Sequence, residues 1–361
     1  MRCAIVMMCI LKRLYVIGGC MAAWTHKKML LEYYKKNTDI SIDLVIMCDK
    51  EIYKAYKGLL KLYFDKVKKI KLRNYNFDIT KHSDTWKSKY SDWIGMSVNK
   101  WQCMKYTDYD KVLFLDIDIL PITYDFYNLF KIKTPAFNLI NIQNKEKWNE
   151  IEKECQDGMI TRYNFPSYNE MISTMKWSAN GGLVLLKPSK KKYKKYFNFI
   201  DNEIKNNMKS SLSSGPDETT LLYFFSKKFY RICSDNNVPP WDIPNPTHYI
   251  KKAKSINYLG KIKPWAKPLF YMWEEEMIWK DIYNIMEHNN QLDKLYKMIL
   301  EEGMINCNKN KKVLCKNNMY LLERTANPKS FEQISNIENK VIRKKGYGII
   351  DIKDLKNIIA P

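Results

Sequence analysis

The chain has no Cys-x-x-Cys pair, no apolar run long enough to span a bilayer, and no usable glycosylation sequon. Each absence removes a class of protein. Nine cysteines, at 3, 9, 20, 48, 103, 155, 233, 307 and 315, lack metal-finger spacing, which excludes a zinc-finger framework. Several sit inside apolar runs and read as small buried hydrophobes in a reducing compartment. At the N-terminus Lys12 and Arg13 split an apolar stretch into two pieces, each too short to cross a membrane, with no small-residue cleavage site after them. A strand followed by a helix, in a cytoplasmic protein without a membrane span, is the expectation, with a signal anchor as the competing reading. The sole Asn-x-Ser/Thr match, at Asn245, is blocked by Pro246, and no internal repeat is visible.

What is present argues for a folded, basic chain. Of 361 residues 45% are apolar and 14% aromatic, enough for a full core and too many for disorder. Lys and Arg number 61 against 39 Asp and Glu, a net charge of +22, which favours an anionic partner such as nucleic acid, an acidic membrane surface or a nucleotide-bearing substrate. The excess is mostly lysine and runs with abundant Asn, Ile and Tyr along the whole chain, so a global compositional bias explains it more simply.

The hydrophobic pattern predicts an α/β protein. Residues 3–11 suit a central parallel strand, 15–36 a helix opening on Tyr15, "IDLVIMC" (42–48) a second buried strand, and "KVKKIKL" a third. A helix over 97–107 leads to a strand at 111–115. Beyond it come a polar insertion (141–176), "SANGGLVLLKPS" (178–189) as a loop entering a strand, a Lys-rich helix (190–209) with a solvated face, and "SSGPDETTLLYFF" (213–225), a Gly-Pro turn with a helix capped through Asp217. Alternating strands and helices place binding groups at the strands' carboxyl ends. Residues 1–299 read as one domain and 300–361 as a Lys- and Asn-rich appendage.

At one such end stands "DKVLFLDIDILP", residues 110–121. In a strand, residues two apart share a face, so Asp116 and Asp118 are expected side by side, and two adjacent anions call for a cation. Mg²⁺ or Mn²⁺, taking oxygen ligands and bridging carboxylates to phosphates, suits them. An acidic turn is the plain alternative; "DYD" at 108–110 repeats the spacing with no strand before it.

Four pieces follow in order: the strand ending in Asp-x-Asp, Asn-Gly-Gly at 180–182, Gly-Pro-Asp-Glu at 215–218, and Gly-x-x-Lys-Pro-Trp at 260–265. Together, over about residues 3–285, they resemble the glycogenin-like family of retaining glycosyltransferases (family eight), which includes galactinol synthases and insect-virus members. The resemblance implies a GT-A-like fold with a mostly parallel central sheet flanked by helices, and metal-dependent transfer of glucose or galactose from UDP-glucose or UDP-galactose. It implies a Mn²⁺ or Mg²⁺ ion on Asp116, Asp118 and Asn257, where the family usually has His. Asn is less basic and suits Mn²⁺ less well. It assigns Tyr15 to the nucleotide base, Lys100 to the donor site, Gly260 and Lys263 to the diphosphate, Asn180 beside Gly181 and Gly182 to the transferred sugar, and Asp217 and Glu218 to the sugar face. The acceptor, whether protein tyrosine, glycan or polyol, and the oligomeric state cannot be read. The competing function is a catalytically inactive relative that binds nucleic acid or an acidic partner through its lysines, although no nucleic-acid motif stands out.

Overall fold

The computed structural model describes residues 1–12, 14–77, 87, 93–141, 154–174, 177–205, 215–239 and 253–258. Four strands, β1 (Arg2–Cys9), β2 (Ser41–Cys48), β3 (Lys66–Lys69) and β4 (Lys111–Leu115), pair in parallel in the order β3-β2-β1-β4. Short strands β5 (Ile119–Pro121), β6 (Ala136–Asn141) and β7 (Ile160–Thr161) follow, then β8 (Trp177–Leu186), β9 (Phe229–Arg231) and β10 (Ser255–Asn257). The main sheet continues from β4 as β8-β6-β9-β7, while β10 and β5 form an antiparallel ribbon. Four of the seven neighbouring pairs in the main sheet are parallel, so the sheet is mostly parallel, and helices flank it.

Strand alternation divides the core into two layers. Ile5, Met7, Leu44, Ile46, Leu113, Leu115 and Leu185 face one side, against helices α1 (Leu14–Tyr34) and α2 (Lys50–Tyr63). Val6, Val45, Met47, Val112, Phe114 and Val184 face the other, against a 3₁₀ helix (Ile94–Lys105) and helices α3 (Tyr168–Thr174), α4 (Lys190–Lys205) and α5 (Pro216–Phe225). Both layers are built from buried apolar side chains. Burying one such Leu or Phe contributes about 1.5–3 kcal/mol.

Several expectations change in detail. The helix expected over 97–107 is the 3₁₀ helix, in which Lys100 and Trp101 are buried. "SANGGLVLL" is not a loop entering a strand. It is strand throughout, with a register shift against β6: Phe137 pairs with Val184 but Leu139 with Ala179, so residues 180–183 bulge opposite Asn138. The cap of α5 is Gly215 and not Asp217; Glu218 reaches back to the Gly215 N–H at 3.0 Å. The cysteines are not all free. Cys155 and Cys233 form a disulfide, whereas Cys3, Cys9, Cys20, Cys48 and Cys103 are buried thiols. Among the described residues no helix is long and apolar enough to cross a membrane. The appendage, 300–361, lies outside the described residues.

Candidate active site

Parallel pairing brings the carboxyl ends of β1, β2 and β4 to one edge of the sheet. There the chain leaves β4 at Leu115 and turns: the Asp116 N–H donates to the Gly182 carbonyl at 2.8 Å, and the Ile119 N–H to the Asp116 carbonyl at 3.1 Å. Asp116 and Asp118 therefore stand on a turn beyond the strand, and strand alternation is not what sets their directions. The turn is fastened on both flanks. Gly182 holds one end, and the Tyr258 N–H donates to the Asp118 carbonyl at 2.9 Å on the other.

Among the described residues, the cation paired with Asp116 is Lys100. Its buried ammonium lies 3.0 Å from Asp116 Oδ2 and 3.0 Å from Asp217 Oδ2, and it donates to the Gly181 carbonyl at 3.4 Å. Burial would lower the Lys100 pKa, but Asp116, Asp217 and Glu218 together raise it above the ordinary lysine range. Lys100 is thus a fixed positive charge at the centre of the cluster. Burial pushes the Asp116 carboxyl up to about 6, with Lys100 opposing and the Asp118 charge adding. Burial likewise pushes Glu218 up to about 7, helped by the Asp217 charge and opposed by N–H donors from Gly181 and Gly215 and by Lys100.

Two glycines make this density of charge possible. A Cβ on Gly181 would stand 2.6 Å from Asp217 Oδ2, and one on Gly215 would stand 2.6 Å from Asp217 Oδ1. Any side chain at either position would evict the carboxylate. The Gly181 N–H also donates to Glu218 Oε1 at 3.1 Å, tying the bulge of β8 to the first turn of α5. Both Glu218 oxygens are engaged in this way, and Asp217 is held by Lys100.

Asn180 spends its carboxamide oxygen on the Gly182 N–H at 2.8 Å, the turn bond that its sequence setting also allows. Asn257 lies opposite Ile119 on the β5–β10 ribbon, one residue from Asp118 across the ladder. Its Nδ2 donates to Asn237 Oδ1 at 2.9 Å, while its own Oδ1 is buried and has no hydrogen-bond partner among the described residues. Among the described residues no three His, Cys, Asp or Glu side chains gather as a metal site. With Asn257 Oδ1 unsatisfied among the described residues and two carboxylates on one turn, these residues fit a hard divalent cation bound through oxygen.

Tyr15 is half-buried near the start of α1, just past β1, and so lies along the same edge. Gly260 and Lys263 lie outside the described residues. Three contributors escape a reading of the sequence. Asp49 caps α2 through the Ile52 N–H at 2.8 Å and holds the Leu11 N–H at 2.7 Å, fixing the chain where it leaves β1. Trp101 donates through Nε1 to the Asp217 carbonyl at 3.1 Å, anchoring the start of α5. Asn237 accepts a hydrogen bond from Asn257 Nδ2 at 2.9 Å. The Asp49-x-x-Ile52 spacing is a visible capping signal, but neither Trp101 nor Asn237 carries a local one.

No family model matches the chain. It is 25% identical over 248 residues to an uncharacterized protein of Acanthamoeba polyphaga mimivirus, an alignment covering 66% of this chain and 77% of the other. Among solved structures it is similar to an active-site mutant of LgtC (15% identity, TM-score 0.48, 78% of this chain and 95% of that one). It is also similar to the glycosyltransferase GlyE of Streptococcus pneumoniae (14%, TM-score 0.45, 82% and 63%) and to mouse xyloside xylosyltransferase 1 (14%, TM-score 0.38, 71% and 97%).

Proposed function

We propose that the chain is a GT-A-like, metal-dependent, retaining hexosyltransferase that moves glucose or galactose from a UDP-sugar to an acceptor. The observation that carries this reading is the cluster of buried Lys100 and Asp217 with half-buried Asp116 and Glu218, built around the Gly181–Gly182 bulge beside the Asp116–Asp118 turn at the sheet's carboxyl edge. The order of the sequence motifs supports it.

Asp116, Asp118 and Asn257 would hold Mn²⁺ or Mg²⁺, which when bound neutralises the diphosphate as Lewis acid and template. Lys100 acts through the carboxylates it pairs, fixing their directions. Asn180, its oxygen committed to Gly182, offers its Nδ2 to the sugar, and Tyr15 offers a ring to the base. Gly260 and Lys263 complete the diphosphate contact. Asp217 and Glu218 border the sugar face, yet ion pairing and backbone donors restrain both, which speaks against either as a free nucleophile and for a front-face transfer in which the leaving phosphate assists the acceptor's deprotonation.

The test is hydrolysis of UDP-glucose and UDP-galactose with Mn²⁺, with Mg²⁺ and with chelator. Turnover of at least one donor is expected, lost with chelator and reduced on the order of 10³-fold in Asp118→Ala, comparable to removing a key electrostatic group. A folded protein that neither hydrolyses a UDP-hexose nor binds UDP by calorimetry overturns the reading, and tight, salt-sensitive nucleic-acid binding would then favour the non-catalytic alternative.

A further inference from the structure

We propose that Asn237 is a positioning residue for the cation site, acting by turning the Asn257 carboxamide so that its oxygen is free to bind the ion. The inference rests on the cation-site reading above. Asn257 is almost wholly buried, and a carboxamide has one acceptor and one donor end that must each find a partner. Asn237, also buried, takes the donor end through its Oδ1, which leaves Asn257 Oδ1 unsatisfied among the described residues. Without that bond nothing in the described contacts distinguishes the two ends of the amide. A reversed amide would present an N–H to a cation.

The backbone that carries Asn237 is held from several directions. Its N–H donates to the Ser234 carbonyl at 2.9 Å, closing a short 3₁₀ turn (Ser234–Asn236) that follows directly on the Cys155–Cys233 disulfide. Asp157, two residues past Cys155, accepts from the Cys233 N–H at 2.8 Å, from Asn236 Nδ2 at 3.0 Å and from Lys254 Nζ at 2.8 Å. The Val238 N–H donates to the Ser255 carbonyl at 3.2 Å, and the Asn257 N–H to the Val238 carbonyl at 2.8 Å. The disulfide, Asp157 and this ladder therefore lock the segment bearing Asn237 to the strand bearing Asn257. Outer partners of metal ligands act in this way, by fixing which atom the ligand presents.

The experiment measures Mn²⁺ affinity in the presence of UDP, by calorimetry and by electron paramagnetic resonance, with folding followed by circular dichroism. Asn237→Ala is expected to weaken Mn²⁺ about tenfold, the low end of the cost of losing an outer partner. Asn237→Asp keeps the acceptor and should stay within about twofold of wild type. Because Asn237 acts only through Asn257, Asn237→Ala should cost nothing further in an Asn257→Ala background, which a general structural role would not produce. Wild-type affinity in folded Asn237→Ala, or additive losses in the double variant, overturns the proposal alone, and a bound water then accounts for the Asn257 oxygen. Should Asn237→Ala not fold, a tenfold loss in folded Asn237→Asp overturns it equally. If the wild type binds no Mn²⁺ with UDP, the cation-site reading fails along with it.

Discussion

Two Asp-x-Asp triplets bracket the same strand: Asp108-Tyr109-Asp110 enters β4 and Asp116-Ile117-Asp118 leaves it. Their spacing is identical and their surroundings are opposite. At the entering end Asp108 and Asp110 are exposed, and Asp110 only fastens the strand start, donating its N–H to the Arg2 carbonyl at 2.7 Å and accepting the Arg2 N–H on Oδ2 at 2.8 Å. At the leaving end Asp118 is 8% exposed, and Asp116 meets a buried lysine, a second acid and a diglycine bulge. The difference lies in the edge of the sheet. Carboxyl ends of parallel strands open onto the crossover segments, where groups from distant parts of the chain converge.

The contrast breaks most severely at Lys100. Lys100→Met keeps the volume and removes the charge, leaving Asp217, whose side chain is only 5% exposed, without its cation. Breaking a buried pair by deleting one partner costs about 3–5 kcal/mol; the lower end is expected here because the Asp116 side chain is 35% exposed and solvent offsets part of its loss. Urea unfolding of both proteins measures the difference. A loss below about 1 kcal/mol would show that the leaving end is no more tightly coupled than the entering one.

How much of this was legible in the sequence follows from the range of each interaction. The parallel strands β1, β2 and β4 showed as apolar runs because a strand covered on both faces must be apolar at every position. The Asp116–Asp118 turn, the two-glycine segment and the Asp217–Glu218 pair could be found because each is local. Their joining could not, since Lys100 reaches Asp217 across 117 positions of chain by way of a 3₁₀ helix whose polar face reads as solvated. The bulge at 180–183 was hidden because a register shift depends on β6, which the local pattern does not mention. The pairing of Cys155 with Cys233 was hidden likewise, for a separation of 78 residues leaves no trace in spacing.

A smaller effect separates the two ends by pH. Glu218 is raised to about 7 and Asp116 to about 6 in the fold, above the ordinary range of Glu and Asp. The folded protein therefore binds these protons more tightly than the unfolded chain does. Their contribution to stability is fully present below the ordinary carboxyl pKa and is lost as pH rises through about 6 to 7. Melting temperatures of the wild type and Glu218→Gln should accordingly converge, or cross in favour of the variant, between pH 5 and pH 7.5. A constant gap across that window would mean that Glu218 does not titrate there.

The smallest change is expected at the entering triplet. Asp110→Ala removes one exposed acceptor of the Arg2 N–H, a group that water can satisfy instead, so stability should fall by about 0.5–1.5 kcal/mol at most. UDP-hexose turnover should stay within about twofold of wild type, because Asp110 sits at the opposite end of β4 from Asp116. Asp118→Ala should show the reverse pattern, with turnover lost and the melting curve little moved. Measuring both quantities on both variants is what gives the comparison its force. If Asp110→Ala lost turnover in step with Asp118→Ala while each melted early, the common cause would be a loosened β4, and the carboxyl edge would have no special claim on the chemistry.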